Sequence, residues 1–154
     1  MESALSVGVL VEFQQPEACL QLAKKLVRGR GEERNFEEAV EWFDRAAQAG
    51  STDALYWLGK CYLKGIGCRK DPSGGVSCLE RAALCGHSAA TYRLGECFEQ
   101  GVGAPRSAEL AAYWYRKAAA EGHYEAMNDL AICCANGLGC PVNHTEAVHW
   151  WHQA

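Results

Sequence analysis

Apolar residues fall along the chain in short stripes at helical spacing. Between Asp53 and Gly67, the residues Ala54, Leu58, Cys61 and Tyr62 recur at i, i+4, i+7 and i+8 and mark one buried face. The spacing predicts a helix, helix A, over 52–64. Gly65 and Gly67 follow as Gly-x-Gly, able to take positive φ, which ends the helix and turns the chain back. A second helix, helix B, is predicted over 72–85. Asp71 can accept from its free N–H groups, and Pro72 stands at the first helical position, where a missing N–H costs nothing.

The pair of helices repeats with a period of 36 residues, visible in Gly50, Gly86 and Gly122 and in Leu22, Leu58, Leu94 and Leu130. Further columns keep the same register: Ala18, Ala54, Ala90 and Ala126; Gly29, Gly65, Gly101 and Gly137; Gly31, Gly67, Gly103 and Gly139; Ala46, Ala82, Ala118 and Ala154. Each unit has a cap for helix B at one position, namely Asn35, Asp71, Ser107 and Asn143. Asn35 with Glu38, and Asn143 with Glu146, have capping-box spacing. Helix B then carries aromatic pairs followed by alanines, as in Trp42-Phe43 with Ala46-Ala47 and Trp114-Tyr115 with Ala118-Ala119. The rings fill space between helices and the alanines let neighbours approach. One such pair cannot bury both its faces, so the units must stack. The expected fold is all-α: a right-handed α-solenoid of four helix–turn–helix repeats, at about 16–50, 51–86, 87–122 and 123–154, the last cut short. Residues 1–15 are expected to be a capping helix (about 3–13) or the remnant of a preceding repeat, because Val7, Leu10 and Val11 fall on the helix-B core positions. That makes about nine helices.

Composition narrows the partners. The chain has 154 residues and is 49% hydrophobic, enough for one continuous core. Its net charge is −4, with a sequence pI near 5.7, so no overall basic field draws in nucleic acid or an anionic membrane. The apolar stretch from Val7 to Val11 is too short for a signal or a spanning segment, and an intracellular, cytoplasmic location is expected. The nine cysteines are odd in number and follow the repeat, which favours reduced thiols.

The stretches "ALYWLGKCYLKGIG" with "CLERAALCG", and "AATYRLGECFEQGVG" with "AAYWYRKAAAEG", resemble Sel1-like repeats over about residues 18–154. The chain departs from the pattern at Ala23 and Ala131, which replace the helix-A glycine, and at Lys25 and Leu26. Cys78-Leu79 replaces the aromatic pair of the second unit, which is expected to pack more loosely. The resemblance implies adaptor or scaffold work: substrate selection in quality control, assembly of signalling complexes, or bacterial factors acting on host cells. Some cysteine-rich relatives are linked to penicillin binding, but no Ser-x-x-Lys and no Lys-Thr-Gly occurs here, and no enzymatic activity is expected. That cysteine-rich branch also pairs a helix-A cysteine with one at the helix-B alanine position, which here is Ala47, Ala83 or Ala119.

Individual residues have mostly plain readings. Cys61, Cys97 and Cys133 share one helix-A column and read as small buried hydrophobes, while Cys68, Cys85 and Cys140 leave room for a single redox-sensitive thiol or bond. Cys140, His144, His149 and His152 lack the paired spacing of a zinc site, so neither metal nor cofactor is expected. Asn143-His144-Thr145 is a glycosylation sequon, although Asn143 is wanted as a cap.

In such a solenoid helix A lines the concave surface, and the residues flanking its buried columns form the expected groove. These are Gln21, Lys24 and Arg28 in the first unit, Tyr56, Trp57, Lys60 and Lys64 in the second, Tyr92, Arg93, Glu96 and Glu99 in the third, and Glu125, Asn128, Asp129 and Ile132 in the fourth. The groove runs from basic to acidic, with Trp57 expected as an exposed hot-spot anchor that the fold does not need. Trp150 and Trp151 form an expected terminal interface, covered by more of a longer repeat protein, by another chain or by self-association. The function expected is a scaffold that binds a peptide or helical segment of a protein partner in the groove. The alternative is a cysteine-dependent redox, assembly or chaperone factor of an oxidising compartment.

Overall fold

The computed structural model describes residues 15–29 and 35–154, all helices and turns. The helix expected over 3–13, and Gly31, lie outside the described residues. Among the described residues eight helices follow one another in A–B order: α1 Pro16–Arg28, α2 Phe36–Gln48, α3 Thr52–Lys64, α4 Pro72–Leu84, α5 Ser88–Gln100, α6 Ala108–Ala120, α7 Tyr124–Asn136 and α8 His144–Gln153. Odd-numbered helices are A helices and even-numbered ones are B helices. The second unit matches its expected bounds, with α4 ending one residue early because Cys85 caps it.

Capping fixes where each helix starts. The side chains of Asn35, Asp71, Ser107 and Asn143 accept from the backbone N–H of Glu38, Gly74, Leu110 and Glu146. In each cap residue the backbone N–H is used as well. It donates to a helix-A carbonyl, Leu26, Tyr62, Phe98 or Cys134, and so closes the A–B turn in the same way four times. That leaves the capping-box glutamates no backbone partner at the cap, and Glu38 and Glu146 accept from the Asn35 and Asn143 side-chain amides instead. The A helices α3, α5 and α7 are capped by Ser51, His87 and His123, each accepting from the N–H three residues on, whereas Gln15 ahead of α1 makes no side-chain cap.

The second glycine of each Gly-x-Gly joins one unit to the one before it. Gly67, Gly103 and Gly139 have φ of +69°, +73° and +72°. A Cβ on any of them would overlap the carbonyl of the first helix-B residue of the preceding unit, Phe36, Pro72 or Ala108. Only glycine meets both demands. The core is one column of two clusters, Cys19 to Cys97 and Phe98 to Ala147, and Trp114 packs against both. The second unit is not loose: Leu79 is fully buried, and Gly59 and Gly75 bring α3 and α4 close enough to make up for the missing ring.

Candidate partner-binding face

Buried residues claim one side of every A helix, among them Ala54, Leu58 and Cys61 of α3 and Ala90, Leu94 and Cys97 of α5. What remains available is the neighbouring stripe, where the residues expected in the groove fall. Arg28, Lys64, Glu99 and Asn128 are exposed, whereas Lys24, Tyr56, Trp57, Lys60, Tyr92, Arg93, Glu96 and Asp129 are half-buried.

Half-burial here means mutual support. The Trp57 ring lies parallel to Phe43 at 5.8 Å, so it covers the preceding B helix as well as edging the face, and the fold does use it. Tyr56 meets Trp57 edge-on at 6.0 Å. The Lys60 ammonium stands 4.5 Å from the Trp57 ring centre and 5.3 Å from that of Tyr56, a cation–π seat. Arg93 lies beside Tyr56 and pairs with Glu96 at 2.6 Å.

One unit further on the pattern returns with opposite charge. The Tyr92 hydroxyl donates to the Asp129 carboxylate at 2.9 Å, and burial together with that carboxylate pushes its pKa well above the usual tyrosine range. Burial also raises the Asp129 pKa. Tyr115, buried on α6, donates to Glu99 at 2.9 Å, which ties that carboxylate to the repeat's own B helix.

Two histidines and an aspartate were not among the expected groove residues. His87 stacks on Tyr56 at 4.8 Å and His123 on Tyr92 at 4.5 Å. Each Nδ1 accepts a helix-capping N–H, so His87 is left with Nε2–H, which donates to Asp53 at 2.9 Å. At His123 the same acceptor role means that the 3.4 Å approach of Glu125 to Nδ1 is a proximity, not a hydrogen bond. Asp53 also pairs with Lys24 at 3.6 Å, linking α1, α3 and α5. The sequence held a signal for the histidines, because they share a column with Ser51, a clear helix cap.

Cys61, Cys68, Cys78, Cys85, Cys97, Cys133, Cys134 and Cys140 are free thiols. Burial pushes Cys61, Cys97, Cys133 and Cys134 up to about 11, which keeps them protonated and poorly nucleophilic at neutral pH. At the far end Trp150 is half-buried and donates to Glu146, whereas Trp151 is 47% exposed; Phe43, Leu79 and Tyr115 in the same column are 0%, 0% and 1% exposed.

Comparison with known proteins agrees with this architecture. A Sel1 repeat protein from Oxalobacter formigenes superposes with a TM-score of 0.82 at 31% identity, over 95% of this chain and 59% of its own. The protective antigen c5321 of uropathogenic Escherichia coli, which has an SLR fold, gives 0.88 at 26% identity, over 94% of this chain and 31% of its own. This chain thus spans well under two thirds of either protein. Helicobacter pylori cysteine rich protein B shares the fold, with a TM-score of 0.62 at 18% identity over 80% of this chain and 97% of its own. No curated protein matches. The Sel1 repeat pattern itself matches four times, at residues 16–51, 52–87, 88–123 and 125–154, in step with the four A–B pairs, and the chain therefore belongs to the Sel1 repeat family.

Proposed function

We propose that this chain is a non-catalytic scaffold that holds an extended or helical segment of a protein partner along its A-helix face. Sel1-repeat proteins generally act in protein–protein interactions. The observation that carries the reading is the assembly of Tyr56, Trp57, Lys60 and Arg93 on adjacent A helices. These side chains are partly exposed yet already held in place, so little entropy remains to be lost when a partner binds.

Affinity capture with the wild type and two variants tests it. Tyr56→Ala with Arg93→Ala alters the A face, and Glu41→Ala with Glu80→Ala alters exposed B-helix positions. Partners lost only from the first variant support the proposal; partners kept by the first, or lost from the second, contradict it. Trp57→Ala is a poorer probe, because it also removes the cover of Phe43. It is expected to lower stability by about 1–2 kcal/mol in addition to weakening binding.

A further inference from the structure

The four units do not offer the same charge to a ligand. On the two helix-A columns nearest the C-terminal turn, the residues are Lys24 and Arg28 in α1, Lys60 and Lys64 in α3, Glu96 and Gln100 in α5, and Ile132 and Asn136 in α7. Cations in a last helical turn ordinarily offset the helix dipole. That accounts poorly for these, because α5 and α7 have no basic residue in their last turns and are equally well formed.

The cations and carboxylates of this face also differ in how far they are already satisfied. Among the described residues Lys24 pairs with Asp53, while Arg28, Lys60 and Lys64 have no carboxylate within ion-pair range; Lys60 rests on the Trp57 ring. In the acidic half, by contrast, Glu96 is taken by Arg93, Asp129 by Tyr92 and Glu99 by Tyr115. The positive charge left without a carboxylate therefore lies on the first two units, while on the last two the neutral tyrosines add no compensating charge to Glu99 and Asp129. Beside the basic residues a hollow of about 200 Å³ opens between α3 and α5, lined by the apolar Leu63, Cys97 and Val102 and by Lys64, Gln100 and the Arg93–Glu96 pair.

We propose that the basic half of the A-helix face is a docking site for an acidic segment of a partner protein, one that places carboxylates against Arg28, Lys60 and Lys64 and an apolar side chain in the hollow between α3 and α5. This rests on the scaffold reading and deepens it. The A helices α1 and α3 are neighbours, joined by the Lys24–Asp53 pair, so acidic positions a few residues apart on one segment would reach them in turn. A nucleic acid strand suits the face less well. Its uniform negative charge would run into Glu96, Glu125 and Asp129, whereas a peptide can change charge along its length.

Fluorescence anisotropy on the full chain tests this with three labelled probes: Glu-Glu-Leu-Glu-Glu-Leu-Glu-Glu, its lysine counterpart, and a uridine oligonucleotide of equal length. The acidic peptide is expected to bind below about 1 mM and to weaken about tenfold on raising salt from low to physiological strength. Lys60→Glu with Lys64→Glu should abolish binding, Arg28→Glu with Lys64→Glu should weaken it at least about fivefold, and Glu80→Gln on the B-helix face should leave it unchanged, with circular dichroism showing each variant folded. Equal or tighter binding of the lysine peptide, a preference for the oligonucleotide, no acidic-peptide binding, or indifference to both charge reversals would each overturn the acidic-segment proposal. The scaffold reading fails separately, if partner capture is unaffected by Tyr56→Ala with Arg93→Ala.

Discussion

Residue by residue, the packing rests on what each position leaves room for. A Cβ on Gly95 would come within 2.5 Å of the Tyr115 ring, which is buried and cannot swing away. Gly95→Ala is therefore expected to destabilise by about 2 kcal/mol despite the better helix propensity of alanine, as measured by chemical denaturation. At Gly59 a Cβ would meet the buried Leu79 side chain at 3.0 Å and the Gly75 carbonyl oxygen at 3.1 Å, tight but short of the overlap at Gly95, so Gly59→Ala should cost about 1 kcal/mol, less than Gly95→Ala. This was only half legible in the sequence. The glycine column and the aromatic pair were plain, but that Gly95 faces Tyr115 while Ala23 and Ala131 suffice elsewhere depends on ring placement. The Tyr56–His87 and Tyr92–His123 stacks were hidden for a similar reason: they join residues 31 apart, across a turn and a further helix. Burial makes the thiols predictable too. With a chromogenic disulfide reagent at mildly alkaline pH, exposed Cys85 should react first and Cys61, Cys97, Cys133 and Cys134 only on unfolding, with nine thiols titrating in denaturant. Fewer than nine in unreduced protein would favour the redox alternative.

At the level of helices and turns, the sequence pattern located the starts and stops of α3 and α4 to within a residue because caps and turn glycines are local signals. It did not reveal the second use of each cap, the backbone N–H that closes the A–B turn, because that bond returns to a carbonyl nine residues earlier. The last two B helices are joined by a contact of another kind, Arg116 of α6 with Glu146 of α8. Accepting from Arg116 is the chief reason that the Glu146 carboxyl is held below its ordinary value of 4.5. A carboxyl depressed in the folded state stabilises fully above the unfolded value and loses that contribution as pH falls through the folded one. Glu146→Gln should therefore be less stable than wild type at about pH 6 and converge with it by about pH 3. The difference should be modest and salt-sensitive, since Arg116 is 46% exposed. A gap that persists unchanged at low pH would assign the effect to packing or capping rather than to charge.

Across the whole molecule, the B-helix residues of the Phe43 column are buried in the first three units, Phe43 against Trp57 of the unit that follows, whereas Trp151 is 47% exposed. Phe43→Ala is expected to cost about 3–5 kcal/mol and Trp151→Ala about 1 kcal/mol, a contrast that thermal or chemical melts would check. None of the described helices is long and apolar enough to cross a membrane. Stacking gives the chain an A-helix face and a B-helix face, and the account assigns partner binding to the first. Hydrogen–deuterium exchange of the chain with and without a captured partner tests that assignment most directly. Slowed exchange is expected in α3 and α5 and in the turns that follow them, with α4 and α6 unchanged; slowing confined to α4 and α6 would place the partner on the B-helix face instead.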